Sequence, residues 1–141
     1  MWWLIIQHLT AFFNNYPDLK AVPALTIASG VEGGIPDFPA IRVCRGGERG
    51  VGILTKGRGT VIILVDCWEG SDDQDPGVAY AKINALEAKM IKAFTDWFEI
   101  APSALKIKMA LENDDIDTDA DGEMFRPTIG STTKIKIKWN K

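Results

Sequence analysis

The residues whose spacing most resembles a ligand set are Asp117-Thr118-Asp119-Ala120-Asp121-Gly122. Oxygens at the first, third and fifth positions followed by glycine form the first half of a calcium loop, where the glycine permits a sharp turn. The second half departs from that pattern. Thr128 stands where a bidentate glutamate belongs, Pro127 precedes it, and the flanks alternate as strands do. Asp117, Asp119 and Asp121 are therefore candidate ligands for weak Mg²⁺ or Ca²⁺ binding. The plainer reading of 112–123, where Glu112, Asp114, Asp115 and Glu123 join those three, is a solvated acidic loop between two strands. No resident cofactor is expected.

Other chemistry has less to stand on. The stretch from Arg45 to Gly59 holds six glycines with Arg45, Arg49, Lys56 and Arg58. Gly52 and Gly57 have the separation of a phosphate-binding loop, but Arg58-Gly59 follows where the motif needs lysine and a hydroxyl. Glycines at this density mark turns or a hairpin arm, so the stretch reads as a long Gly-rich hairpin whose four bases suit an acidic partner. His8 is the sole histidine and falls in a helical pattern, so a Ser-His or Cys-His pair would need a distant nucleophile. Cys44 and Cys67 lie in strand-like segments. They read as reduced core residues, because a disulfide framework in a secreted domain shows more cysteines. Paired carboxylates could serve acid–base chemistry, yet these crowd in turns, away from the burial that tunes a pKa. No enzyme is expected.

The elements that would position these residues are clearer. Trp2, Ile5, Ile6, Leu9, Phe12, Phe13 and Tyr16 recur at helical spacing until Pro17, predicting an amphipathic helix over 2–16. Four prolines and three glycines make 17–39 a connector with a short strand near Leu25–Ala28. Ala40–Cys44 alternates as a strand. Val61–Trp68 is apolar on both faces as far as Asp66, as a central strand is. Asp75-Pro76 supplies an N-cap and a first-turn proline. The stripe Tyr80, Ile83, Leu86, Met90, Ile91, Phe94, Trp97 and Phe98 then predicts one long helix over 76–98, ended by Pro102. Two strands follow. Leu105, Ile107, Met109 and Leu111 oppose Lys106 and Lys108, while Ile135, Ile137 and Trp139 oppose Lys134, Lys136 and Lys138. Direct pairing of the two would crowd five lysines on one face, so something must dilute or neutralise them.

At 141 residues, 46% apolar and 25% charged, the chain suits one soluble α+β domain over 1–141. Its sheet is expected to be antiparallel or mixed, of four to five strands, with the N-terminal helix and the long helix packed on it. The two-sided apolar strand requires cover on both sides, either from helices on opposite faces or from a neighbouring subunit. A net charge of −3 points to neither nucleic acid nor an anionic membrane. The apolar start Met1–Ile6 lacks the basic region and cleavage site of a signal peptide, and no stretch has the ~20 apolar residues of a membrane span.

The order of elements, with the strand ending Asp66-Cys67-Trp68-Glu69, the acidic turn, Ala79-Tyr80-Ala81 in the long helix and Arg126-Pro127 in the final join, resembles the tail-terminator and head–tail joining (neck) proteins of tailed bacteriophages, of the lambda tail-terminator type. The resemblance implies helices packed on an antiparallel sheet, no catalytic residues, and a homo-oligomeric ring, typically a hexamer. Such a ring stops growth of the tail tube and joins it to the head connector. It would sit in the virion neck after assembly in the host bacterial cytoplasm, with the tail tube protein and a head completion or connector protein as partners, and with no membrane or sequence-specific nucleic acid. Arg45, Arg49, Lys56, Arg58, Asp66, Trp68, Asp72 and Asp73 become candidate contacts with neighbouring subunits or the tube. The contrasting reading is a small binding module that uses the acidic 112–123 loop for a divalent cation or a basic partner. A small enzyme acting through Asp or Glu is a third.

Overall fold

A computed structural model describes residues 1–30, 37, 39–46, 57–70, 76–119, 124–125 and 128–141. The chain opens with helix α1 (Trp2–Asn15), whose apolar stripe buries Ile5, Ile6, Leu9 and Phe13. It stops where Tyr16 turns extended ahead of Pro17, which begins the single turn α2 (Pro17–Lys20). Strand β1 (Thr26–Ser29) follows, then β2 (Ala40–Arg45) and β3 (Arg58–Gly70). Helix α3 (Pro76–Leu105) leads to β4 (Lys108–Asp119), the short β5 (Met124–Phe125) and β6 (Thr128–Asn140).

The fold is α+β, as composition and periodicity predict. The sheet runs β1-β2-β3-β6-β4, with β5 beside β6, and it is mixed because β1 pairs parallel to β2 while the other pairs are antiparallel. The Gly-rich connection 47–56 between the paired strands β2 and β3 lies outside the described residues.

Both helices pack on the same face. Ile41 and Val43 of β2, Val61, Ile63, Val65 and Cys67 of β3, and Ile129, Ile135 and Ile137 of β6 form one core with the inner sides of α1 and α3. Of the two ways foreseen to cover the apolar strand, helices on opposite sides is therefore ruled out. Ile62, Leu64, Asp66 and Trp68 point away from the helices and remain half-buried.

Two element boundaries differ from the periodicity. Helix α3 continues past Pro102 to Leu105 instead of ending at 98. Pro102 sits in the last turn and removes only one internal bond. The end is closed by a Schellman arrangement in which Ile107 N–H donates to Pro102 C=O at 3.0 Å and Lys106 N–H donates to Ser103 C=O at 3.3 Å. Ala101 and Ile107 are buried beside it. Leu105, which the alternation placed at the start of a strand, is thus helical. The second difference is that the expected acidic loop is strand as far as Asp119, so β4 extends eight residues beyond Leu111.

Glycine and tryptophan seat one another across the β3–β6 ladder. Gly130 is the partner of Trp68 and Gly59 the partner of Trp139, near opposite ends and on opposite faces. A Cβ at Gly130 would lie 3.1 Å from Trp68 Cε3, and one at Gly59 would lie 2.9 Å from Trp139 Cζ2. Each indole thus covers bare backbone on the neighbouring strand.

Gly59→Ala should cost about 1–3 kcal/mol in urea melts by overpacking the indole. The cost should largely disappear in a Trp139→Ala background, and persistence there would trace it to the backbone. Lys106 holds the left-handed conformation at φ 55°, which costs a side-chain-bearing residue about 1–2 kcal/mol. Lys106→Gly should therefore raise the unfolding free energy by about 1 kcal/mol, and an unchanged or lower midpoint would refute the strain.

Candidate interaction face of the sheet

The face opposite the helices consists of cross-strand rows fixed by hydrogen-bond register. At one end Arg58 of β3, Asn140 of β6 and Lys108 of β4 are partners in a row. Thr60, Lys138 and Ala110 form the next. Ile62 then faces Lys136, and across from Lys136 the partner strand bulges, with Glu112 to Asp115 falling between the paired Leu111 and Ile116. Beyond the bulge come Cys44, Leu64, Lys134 and Asp117, followed by Arg42, Asp66, Thr132 and Asp119.

These rows answer the lysine question. Among the described residues no lysine stands opposite another. Because β6 lies between β3 and β4, its lysines are flanked by Thr60, Ile62 and Leu64 on one side and by Ala110, the acidic bulge and Asp117 on the other. Like-charge apposition, which destabilises a pair, is avoided by strand order and register.

The apolar part of the face is Ile62 and Leu64, with Cys44 buried beside them. Gly46 donates its N–H to Ile62 C=O at 2.7 Å. It approaches Ile62 so closely that a Cβ there would lie 2.5 Å from Ile62 Cγ2. Asp66 accepts the Thr132 hydroxyl at 2.7 Å, and Arg42 donates to Thr26 and to the Ile41 carbonyl. On the helix side of β3, by contrast, Glu69 stands opposite Ile129 and has its carboxyl pushed above the ordinary range by burial, against the Gly70 N–H and the α3 lysines Lys82 and Lys89.

The residues singled out from sequence are not all gathered here. Asp66, Trp68 and Arg58 lie on this face, Trp68 over Gly130 and Arg58 exposed at the sheet end. Arg45 belongs to the other side, where its guanidinium stacks 4.3 Å from the Trp2 ring centroid. Asp117 and Asp119 are strand residues paired with Lys134 and Thr132. Asp121, Arg49, Lys56, Asp72 and Asp73 lie outside the described residues. Among those described, no cluster of three metal-ligating side chains forms. Sequence reasoning missed Thr132, the bulge opposite Lys136, and the convergence of Arg58, Lys108 and Lys138. The alternating lysines were visible, but the register that groups them was not.

The nucleophile candidates are structural. Cys67 is fully buried against the helices and its thiol is pushed far above the ordinary range by desolvation. Cys44, raised chiefly by desolvation and further by Asp66, sits on the opposite face of the sheet, and both thiols are free. His8 Nδ1 accepts the indole N–H of Trp97 at 2.9 Å. That bond ties α1 to α3 beside the stack of Phe94, Trp97 and Phe98.

No family model and no curated protein matches this chain.

Because Trp97 is wholly buried, His8→Ala strands its N–H without an acceptor and should cost about 1–3 kcal/mol in denaturant melts. His8→Gln, which can still accept, should recover part of that loss. Equal stability of His8→Ala and wild type would remove the role.

Proposed function

We propose that this chain is a structural assembly protein of a tailed bacteriophage, of the tail-terminator or head–tail joining type, whose copies associate into a ring at the end of the tail tube. The observation that carries the reading is the one-sided helix layer. It leaves a sheet face with half-buried Ile62, Leu64 and Trp68 amid ordered rows of charge, a surface suited to burial against protein. The resemblance of the chain's layout to terminator and neck proteins supplies the kind of assembly. In this reading the ring, a hexamer by that resemblance, caps the tube and presents its other side to the head connector. The candidate contacts are Arg58, Asp66 and Trp68 on the sheet, Arg45 beside Trp2, and Arg49, Lys56, Asp72 and Asp73 in the adjoining connections.

The experiment is light scattering and negative-stain imaging of the purified chain, with and without magnesium. The expected result is annular particles, with a mass near six times the 15.5 kDa of one chain. A monomer at all concentrations that also leaves tube polymerisation unaffected would refute the assembly reading. Calcium-titration heat that disappears in Asp119→Ala would, in such a monomer, favour the binding-module alternative.

A further inference from the structure

Five cations gather where β3 begins, β6 ends and α3 hands over to β4: Arg58, Lys106, Lys108, Lys138 and Lys141, all exposed. Arg58 and Lys108 flank Asn140 from either side, and Lys138 stands one row along the same outer face. Lys141 is held beside them by its backbone N–H, which donates to Gly57 C=O at 2.7 Å. Strand spacing and rise put each cation's Cα within about 10 Å of the next. That is about the screening length at 0.1 M salt, so their fields add. Among the described residues no acid forms an ion pair with any of the five. A net charge of −3 therefore conceals a local basic end, assembled from three strands and the cap of α3.

The surroundings decide which anion suits this end. Thr60, Ala110 and Asn140 stand among the cations on the outer face, exposed and without a large apolar side chain. Every exposed large hydrophobic among the described residues is on α1 or α3, in the helix layer. Protein interfaces are built the other way, around an apolar or aromatic centre from which lysine is depleted. Stable attachment to lipid takes apolar insertion as well as charge. Four of the five cations are lysines, which meet phosphate as point charges. Trp139, the indole at this end of β6, packs on the core and is seated over Gly59, so it offers no ring to an unstacked base. What remains is an array of positive charge matched to a phosphate backbone.

We infer that the sheet end formed by Arg58, Lys106, Lys108, Lys138 and Lys141 binds the phosphate backbone of duplex nucleic acid, without regard to base sequence. This goes beyond the assembly reading and does not rest on it, because the array is complete within one chain. It moves Arg58 from the candidate subunit contacts to a phosphate. Copies held in one assembly would repeat the array and raise its avidity.

Fluorescence anisotropy with a labelled duplex oligonucleotide tests the inference on the full chain, while light scattering of the same samples gives the mass. Wild type should bind, and log affinity should fall linearly with log salt between about 0.05 and 0.2 M. The expected slope is about −4 to −5, from about −0.9 for each phosphate neutralised. Arg58→Gln/Lys108→Gln/Lys138→Gln, checked for wild-type circular dichroism, should bind at least about tenfold more weakly and lose about 3 from that slope. If this triple variant fails to fold, Lys106→Gln/Lys141→Gln, outside the strand ladder, should lose about 2. Lys20→Gln/Lys89→Gln removes exposed charge from α2 and α3 instead and should leave binding unchanged. An equal loss in that control would make net charge the cause and overturn the inference. So would a wild type that binds no duplex at low salt, one that binds polyglutamate as tightly, or one that prefers phosphatidylglycerol vesicles. Assembly without duplex binding sinks this inference alone, whereas duplex binding lost in the variants sustains it whatever the mass.

Discussion

The antiparallel register of β3 against β6, thirteen paired positions from Arg58–Asn140 to Gly70–Thr128, is the constraint on which the other features depend. Side chains alternate between faces with a period of two, so a slip of one residue would turn Val61, Ile63, Val65 and Cys67 away from the helices. Were β6 the strand to shift instead, Lys134 and Lys136 would turn into the core. The same register sets Trp68 on Gly130 and Trp139 on Gly59. These seats reward only the observed alignment. Side chains and backbone specify the same pairing, which is the agreement between levels that makes a fold unique.

Over that ladder the two helices form a single layer, joined at Trp97. Its indole is wholly buried, rests against Phe94 and Phe98, and donates to His8. Farther along the seam the Tyr16 hydroxyl donates to Asp96, and Lys92 pairs with Asp18 at 2.9 Å. The last two contacts are exposed and contribute little to stability, but they orient α1 and α2 along α3. Burial of the aromatic side chains supplies most of the energy. With both helices committed to one side, the opposite face depends on its own side chains to manage water and charge.

That face does so through strand order. β4 pairs directly with β6, but the register sets the β6 lysines opposite Ala110, the bulge and Asp117, and β3 places Thr60, Ile62 and Leu64 on their other side. The long bulge in β4 and the acids along it also suit an edge strand, where irregularity and charge discourage pairing with other chains. Arg58, Lys108 and Lys138 gather at one end of the sheet, beyond the half-buried Ile62 and Leu64.

Much of this was determined by sequence alone. Helical and strand periodicities located α1, most of α3, β2, β3 and the final strand, since each repeats apolar residues at the spacing of its own backbone. Composition set the α+β class. Tertiary structure decided the rest. Pro102 looked like a stop because local rules penalise proline in a helix, yet the capping bonds of Lys106 and Ile107 carry α3 past it. Glu112 to Asp119 looked like a loop because acids disfavour strands, yet β6 provides a ladder that pairs Ile116 to Asp119 with Ile135 to Thr132. The neighbours of Asp66, the seat of Trp68, and the meeting of Arg58, Lys108 and Lys138 could not be read from sequence. The β3–β6 register joins residues from 58 positions apart, at Gly70 and Thr128, to 82, at Arg58 and Asn140, and no local spacing encodes which strand becomes the neighbour of which.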